Sequence, residues 1–417
     1  MTCKITQIFA DLMPLFRLSK MDYPIWIIDI FLLSSQKITA MENPFYITGI
    51  IPEKYFCDRE AETKKIITLL ENQSNVLLTA YRRMGKTQLI RHIFEQPGIK
   101  EKYYTFYVDL YSTTSVREMA FFMGKEIYRT LVPGRKRSWE LFFSTVKSIA
   151  AGFGIDPVTG APTAQLQLGD IHSPEMTLEE IFSYLEKADK PCIFAIDEFQ
   201  QIAKYPEGMV EELLRTHIQR MNNCHFIFSG SDRHILEQMF QSYAKPFYNS
   251  AKPVFLDRIP KESYIDFVVR QFALAGRVIS PETVSYCYDL FDGYTFYIHN
   301  IFHDVFAFDT SETLGIDNIH LALDNILEEN SHTYKEVLGK LTLAQKQTLA
   351  AIARDKVVMH PTSGAFVKKH ALGSPSSVQK AITALLDQQF VSYNADNGNK
   401  EYFIPDKYFD YWLRMNY

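Results

Sequence analysis

The chain has 417 residues and a net charge of −5, with 47% hydrophobic and 22% charged residues. This composition is typical of a globular protein and gives no overall attraction to nucleic acid, so DNA binding would need a local basic patch. The length predicts two or three domains. The five cysteines are odd in number and lack C-x-x-C spacing, which argues against a disulfide framework and a zinc site and favours a cytoplasmic protein.

The first forty residues carry one apolar run, from Tyr23 to Leu33. It is short and contains Asp29, so it predicts neither a signal peptide nor a membrane anchor. Met41 begins the recognisable part of the chain. Residues 1–40 are therefore an N-terminal extension, and one alternative is that they are an upstream translation artefact rather than native sequence.

The most informative motif follows an apolar strand predicted at 75–80. Gly85-Lys86-Thr87 opens a helix there, which is the layout of a phosphate-binding loop. In such a loop backbone N–H groups converge on a phosphate, Lys86 reaches the β- and γ-phosphates, and the Thr87 hydroxyl holds Mg²⁺. One position departs from the pattern, because Ala80 stands where the first glycine belongs. The predicted phosphate-binding residues are Ala80, Arg82, Arg83, Met84, Gly85, Lys86, Thr87 and Gln88.

A second motif ends an apolar run, Cys192 to Ile196, that has the character of a buried parallel strand. Asp197 and Glu198 follow it directly. In P-loop NTPases an acidic residue at this strand tip holds the Mg²⁺ that bridges the β- and γ-phosphates, and a second carboxylate can polarise the attacking water. We therefore expect Asp197 to bind Mg²⁺ together with Thr87, and Glu198 to act in catalysis by polarising and orienting the attacking water.

A third strand, predicted at 224–229, ends in Ser229-Gly230-Ser231. Its position in the chain order is that of a γ-phosphate sensor. Ser229 or Ser231 is therefore expected to hydrogen-bond the γ-phosphate or the attacking water. Ser-Gly-Ser is also ordinary turn chemistry, and that alternative stays open.

Strand and helix patterns alternate through residues 41–258. Strands are predicted at 75–80, 103–110, 192–197, 224–229 and 253–256, and helices at 86–95, 116–131, 138–150, 177–187, 209–221 and 233–241. This alternation predicts an α/β fold, a P-loop ATPase core with a five-stranded parallel sheet. Turn signals near 152–168 indicate an inserted hairpin.

The remaining chain divides into two predicted domains. Residues 259–335 are helical in pattern throughout and predict a helical lid domain. Residues 340–417 show three helices and then a hairpin around an Asn-Gly turn, which is the pattern of a winged helix. Its third helix could contact DNA, because it carries side chains that can hydrogen-bond bases: Ser376, Ser377, Gln379, Lys380 and Thr383. Phosphate contacts need several basic residues, and Lys368, Lys369, Lys400 and Lys407 lie nearby. The alternative is a module that packs on the core or binds protein.

Several of these segments together resemble the prokaryotic AAA+-like ATPases of the archaeal ATPase family, relatives of the STAND switch NTPases and of origin-recognition initiators. The segments are 56–62, 82–87, 197–200, 214–219 and 228–231, and the resemblance covers about residues 41–417. It implies ATP as the nucleotide and places Arg59 in an element on the adenine side. Two positions depart from the family pattern: Asp58 replaces a glycine beside Arg59, and Thr295 stands where the lid turn has a proline.

The leading interpretation is an ATP-hydrolysing molecular switch that uses Mg²⁺ and whose lid and winged helix respond to the nucleotide. One alternative is a nucleotide-gated DNA-binding regulator with negligible hydrolysis. The other is a P-loop small-molecule kinase, against which the Asp-Glu pair and the winged helix argue. The resemblance also implies an arginine acting in trans within a homo-oligomer, for which Arg215 is a candidate, with Arg220 and Arg233 as further ones.

Overall fold

The computed structural model describes residues 42–131, 136–150, 153–155, 162–164, 171–396 and 399–417. The predicted extension over residues 1–40, with its apolar run, lies outside the described residues. Within the described ranges, no helix is both long enough and apolar enough to cross a membrane.

A five-stranded sheet forms the centre of the first half. The described strands of this half are, in chain order, β1 (Val76–Thr79), β2 (Tyr104–Asp109), β3 (Phe153–Ile155), β4 (Pro162–Ala164), β5 (Cys192–Asp197), β6 (Cys224–Gly230) and β7 (Lys252–Phe255). Five of them form the central sheet, in the order β2-β5-β6-β1-β7, and all its pairs are parallel. β3 and β4 form a separate antiparallel pair. The predicted α/β fold with a five-stranded parallel sheet is confirmed.

Helices connect these strands. They are α1 (Glu60–Glu71), α2 (Lys86–Glu95), α3 (Pro97–Lys102), α4 (Val116–Leu131), α5 (Lys136–Thr145), α6 (Lys147–Ala150), α7 (Pro174–Lys187), α8 (Val210–Ile218) and α9 (Arg233–Gln241). The prediction of one helix over 138–150 was wrong, because α5 and α6 are separated at the buried Val146. Its N–H still donates to the Phe142 carbonyl at 2.8 Å, so the break is a single residue.

The central strands alternate their side chains between two cores. Ile193 and Ala195 of β5 pack into one cluster with α1, α2 and the C-terminal half of the chain. Phe194 and Ile196 pack into the other, with α4, α7 and α9. Successive side chains of a strand point to opposite faces, so a strand buried on both faces is apolar at every position. This explains the uninterrupted apolar run that leads to Asp197.

The second half is mainly helical. It contains α10 (Lys261–Leu274), β8 (Val278–Ile279), α11 (Pro281–Leu290), α12 (Thr295–Phe308), β9 (Thr313–Leu314), α13 (Ile316–Lys340), α14 (Leu343–Asp355), α15 (Gly364–Lys369), α16 (Pro375–Asp387), β10 (Ser392–Asp396), β11 (Asn399–Phe403) and α17 (Lys407–Asn416). Helices α14 to α16 with the antiparallel pair β10 and β11 form the predicted winged helix.

The last helix, α17, was not predicted. It follows the hairpin and places Phe409 and Trp412 against Tyr334 of α13, with ring centroids 5.0 and 5.5 Å apart. Asp406 caps its N-terminus by accepting from the N–H groups of Tyr408 and Phe409, both at 3.1 Å. A short aromatic-rich segment gives a weak helical signal, and its stability comes from this packing.

Candidate functional site

Parallel pairing brings the carboxyl ends of β1, β5 and β6 to one edge of the sheet. Ser229 of β6 is the register partner of Leu78 of β1, and Phe228 is the partner of Ile196 of β5. Asp197 therefore lies at the level of Ser229, beside the loop that joins β1 to α2. This loop, Asp197, Glu198 and Ser231 contribute to the lining of one cavity of about 340 Å³.

The loop ends at Gly85, which caps the N-terminus of α2. The φ of Gly85 is 89°, a conformation that favours glycine. Lys86 follows and is buried, with its Nζ 3.4 Å from the Ala80 carbonyl oxygen. Burial lowers the pKa of Lys86, and the negative charges of Asp197 and Glu198 oppose that shift. Ala80 does not have a positive φ, so the loop accommodates its Cβ in place of the expected glycine.

Asp197 is the centre of a hydrogen-bond network. Its Oδ2 accepts from the hydroxyls of Thr87 at 2.9 Å and Tyr107 at 2.7 Å. Its Oδ1 accepts from the Ser229 hydroxyl at 2.6 Å and from the Glu198 N–H at 3.0 Å. Four donors fix the orientation of both carboxylate oxygens, as expected for a buried acidic group.

Glu198 lies just past the end of β5 with a φ of 52°, an unusual conformation for a residue other than glycine. Its Oε2 accepts from the Ser231 hydroxyl at 2.8 Å and from the Gln200 side-chain amide. Gly230 makes this possible, because a Cβ there would collide with the Gln200 side chain. The carboxylate of Glu198 lines the cavity but is held by two protein donors.

The cavity has two chemically different sets of lining residues. We call Gly85, Lys86, Thr87, Asp197 and Glu198 the P-loop wall. The apolar wall consists of Ile47, Ile51, Phe56, Ile259 and Phe296. Thr295 and His299 of α12 line the cavity as well. A polar charged set beside an apolar set is suited to a ligand that has an anionic part and a flat apolar part.

The two arginines of the loop, Arg82 and Arg83, line the cavity and also contact the C-terminal half. Arg82 Nη1 donates to Gln389 Oε1 at 3.0 Å. Arg83 donates to the Tyr297 hydroxyl and, at 3.2 Å, to Asp406 Oδ2. The N–H of Phe296 also donates to the Arg83 carbonyl at 3.3 Å. The loop is thus joined directly to α12 and to the start of α17.

The other predicted site residues occupy different positions. Met84 is buried and lines the cavity. Arg59 and Gln88 also line it, but Arg59 donates to the Asp257 carbonyl and Glu62, and Gln88 donates to the Gly49 carbonyl. The residues outside the lining are Ala80, Ser229 and Arg215.

Of these, Ser229 contacts Asp197, and Arg215 donates to the Pro246 carbonyl at 2.6 Å. The expectation that Arg215 acts on a neighbouring subunit stays a prediction.

The side-chain oxygen atoms of Thr87 and Asp197 are suitable ligands for Mg²⁺. They are hard ligands 2.9 Å apart, next to the cavity. In the described part of the chain no group of three His, Cys, Asp or Glu side chains could hold a metal. A site with one carboxylate and one hydroxyl suits an ion that keeps several waters and is otherwise bound by phosphate oxygens.

Sequence reasoning missed several residues at this site. Tyr107 contacts Asp197 from β2, and Gln200 contacts Glu198. The sequence gives no signal for Tyr107, because its contact with Asp197 depends on the register in which β2 pairs with β5. Nothing in the sequence pattern points to His299 or Asp406, whose roles depend on packing between distant segments.

Comparison with known proteins adds the family. The sequence profile of ATPase domains found predominantly in Archaea matches residues 56–301, and that of a probable winged helix domain matches residues 332–415. An uncharacterized ATP-binding protein of Methanocaldococcus jannaschii is 23% identical over 280 residues, which are 61% of this chain and 71% of that protein. A second one from the same organism is 22% identical over 311 residues, 69% of this chain and 82% of that protein.

Two solved structures share the fold. The Walker-type ATPase of Pyrococcus abyssi has a TM-score of 0.61 and 20% identity, with 89% of this chain and 99% of that chain covered. The ORC2 protein of Aeropyrum pernix, solved as ADPNP–ADP complexes, has a TM-score of 0.52 and 14% identity, with 90% and 98% covered.

Proposed function

Since the chain belongs to the family of ATPase domains found predominantly in Archaea, we propose that it binds ATP with Mg²⁺ in the cavity and hydrolyses the terminal phosphate. The observation that carries this proposal is the Asp197 carboxylate, which accepts four hydrogen bonds, one of them from Thr87, and lies close to Lys86 and Glu198. The names of the ATP-binding relatives and of the Walker-type ATPase support the choice of nucleotide and of reaction.

Each side chain of the P-loop wall has a distinct role in this proposal. Lys86 is a buried cation that offsets phosphate charge. Thr87 and Asp197 would hold Mg²⁺, which neutralises charge on the phosphates when bound. Tyr107 and Ser229 keep the Asp197 carboxylate in place. Glu198 takes the proton of the attacking water.

Glu198 is held through one of its two carboxylate oxygens. Ser231 and Gln200 both donate to Oε2, which fixes the carboxylate and leaves Oε1 to accept the proton of the attacking water. Release of the Ser231 hydroxyl from Oε2 would free it for the γ-phosphate, as the sensor prediction requires. Turnover is expected to be slow until a nucleotide or a partner moves Ser231 in this way.

The proposed switch runs through Arg83. Its backbone belongs to the loop around the phosphates, and its side chain contacts Tyr297 of α12 and Asp406 at the start of α17. A phosphate-dependent change in the loop would move these contacts and bias the position of the winged helix. Ligand-driven motion needs such differential contacts between two states.

A nucleotide-gated DNA-binding regulator is the second candidate function. The N-terminal part of α16 exposes Ser376, Gln379, Lys380 and Thr383, which could contact base edges and phosphates. Lys369, by contrast, is paired with Asp355 at 2.7 Å. Basic charge at this surface is therefore limited, so few phosphates would be neutralised, and DNA affinity should be weak and depend only modestly on salt.

Steady-state ATP hydrolysis by the wild type and Glu198→Gln, with and without duplex DNA, tests the proposal. We expect Glu198→Gln to lower turnover by about 10²-fold or more while ATP binding is kept, since the amide cannot accept the proton. Glu328→Gln, on the exposed face of α13, is the matched control. Unchanged turnover in Glu198→Gln would remove the catalytic assignment, and ATP binding with no turnover under any condition would favour the regulator.

A further inference from the structure

Three residues that line the cavity each have a buried side-chain atom without a hydrogen-bond partner among the described residues: Gln88 Oε1, Thr295 Oγ1 and His299 Nε2. Thr295 and His299 are four residues apart on α12, so they lie on the same face of the helix. His299 is only 7% exposed. Orphaned polar atoms are costly in a protein interior, which makes them candidates for contacts with a ligand.

The protonation of His299 follows from its other nitrogen. Its Nδ1 is 2.9 Å from the hydroxyl of Tyr264, and the described residues offer that hydroxyl no other partner. A buried phenol donates its proton when it has one acceptor, so Tyr264 donates to Nδ1 and the ring proton resides on Nε2. Burial lowers the pKa of His299 to about 4, which keeps the ring neutral near pH 7. His299, a residue of the cavity lining, therefore has one N–H, at Nε2, that has no acceptor among the described residues.

The surroundings of this donor suit a planar ring. Phe296 precedes His299 by three residues on α12, and Ile47 and Ile51 contribute further apolar surface. Ile47 and Phe296 are 39% and 36% exposed, so they present apolar surface that a ligand could cover. A bound base would cover them and satisfy the orphaned polar atoms at its edge.

We propose that His299 and Thr295 recognise the Watson–Crick edge of adenine: His299 Nε2–H donates to N1, and the Thr295 hydroxyl accepts from the N6 amine. The inference rests on the proposed function, because it assigns the base of the same nucleotide. Guanine presents an N–H at position 1, which would face the His299 N–H and could not accept from it. The Thr295 hydroxyl can donate to the guanine oxygen at position 6, so His299 is the residue that selects ATP over GTP.

Nucleotide analogues can separate the two contacts. Affinity for the full-length protein would be measured by competition against a fluorescent ATP analogue, with ATP, GTP, 1-deaza-ATP, 7-deaza-ATP and purine riboside triphosphate. 1-deaza-ATP lacks N1, and purine riboside triphosphate lacks the N6 amine. We expect the wild type to bind each of these two about tenfold more weakly than ATP, the loss typical of one hydrogen bond, and 7-deaza-ATP as well as ATP.

Variants then assign each contact to its residue. His299→Phe keeps an aromatic ring and removes the donor, so it should bind ATP and 1-deaza-ATP equally while still discriminating against purine riboside triphosphate. Thr295→Val should bind ATP and purine riboside triphosphate equally while still discriminating against 1-deaza-ATP. His225→Phe is the matched control, because His225 is also 7% exposed and does not line the cavity. If His299→Phe did not fold, Thr295→Val and the analogue series on the wild type would still decide the proposal.

The outcomes separate this inference from the proposed function. The base contacts would be wrong if the wild type bound ATP and 1-deaza-ATP equally, or if both variants still discriminated against both analogues. Either result would leave the proposal of ATP hydrolysis intact. If only 7-deaza-ATP bound more weakly than ATP, the protein would contact the N7 edge of adenine, and the proposed contact with the Watson–Crick edge would be wrong. If the wild type bound no nucleotide, both the proposed function and this inference would fail.

Discussion

The two walls of the cavity differ in how far their polar groups are already satisfied. In the P-loop wall, Asp197 accepts four hydrogen bonds and Glu198 accepts two from protein donors. Beside the apolar wall, Thr295 Oγ1 and His299 Nε2 have no partner among the described residues. The P-loop wall is pre-organised by hydrogen bonds within the protein, whereas the polar groups beside the apolar wall can still form hydrogen bonds with a ligand.

This difference has consequences for ligand binding. A ligand at the P-loop wall must compete with protein hydrogen bonds, so its net gain depends on charge, which Lys86 and Mg²⁺ would supply. A ligand near the apolar wall gains bonds without breaking any and covers apolar surface. The P-loop wall is thus suited to chemistry that depends on rearrangement, and the residues near the apolar wall to recognition.

The largest expected effect comes from disrupting the satisfied network at Asp197. Asp197→Asn replaces one acceptor oxygen by an amide that faces hydroxyl donors, and it leaves buried Lys86 with one neutralising charge fewer. We expect a loss of unfolding free energy of about 1–3 kcal/mol and loss of the Mg²⁺ dependence of ATP binding. Denaturant unfolding and ATP titrations with and without Mg²⁺ measure both.

Asp109→Asn is the control for that change. Asp109 is the register partner of Asp197 but is exposed, and its Oδ1 accepts from the Tyr111 N–H at 2.8 Å, a bond that asparagine can also make. Its substitution should cost less than about 0.5 kcal/mol. Equal behaviour of the two variants would contradict a special role for the network.

An effect of similar size on stability, without the loss of Mg²⁺ dependence, is expected from pH at His299. Its folded pKa of about 4 is below the ordinary value of 6.5, so between these values the unfolded state binds the proton and the folded state does not. Stability should fall as pH drops from about 6.5 to about 4, by up to roughly 3 kcal/mol from this group.

His299→Phe removes that titration, so its unfolding free energy should change less over the same pH range. Burial raises the pKa of Asp410 to about 6, which acts in the opposite direction, with stability lost as pH rises from about 4 to 6. The difference between wild type and His299→Phe cancels the Asp410 contribution. Parallel pH profiles for the two proteins would show that His299 titrates normally.

The smallest effect on stability is expected at Arg83, which joins the loop to the C-terminal half. The Arg83 and Asp406 side chains are 40% and 36% exposed, so Arg83→Ala should cost at most about 1 kcal/mol of unfolding free energy. The informative measurement is hydrogen exchange in α17, which should become faster and lose its dependence on ATP. The control is Arg117→Ala, at an exposed position of α4. Unchanged exchange in α17 would argue against coupling through Arg83.

Much of the fold and of the P-loop wall was predictable, for a local reason. A strand buried on both faces is a continuous apolar run, and the residues that follow it in a parallel sheet collect at one edge. This placed Lys86, Thr87, Asp197 and Glu198 together from sequence alone. The same reasoning missed Tyr107 and α17, because a tyrosine inside a strand and a short aromatic helix give no pattern of their own.

The sequence by itself determined the family, the sheet and the motifs around the phosphate-binding loop, because each is encoded in a short contiguous segment. Only the tertiary structure decided that Glu198 is held by Ser231 and Gln200, that Arg83 contacts Asp406, and that His299, a residue of the cavity lining, has no partner at Nε2 among the described residues. Most of these contacts join residues far apart in the chain, and a hydrogen bond between such residues leaves no periodicity in the sequence.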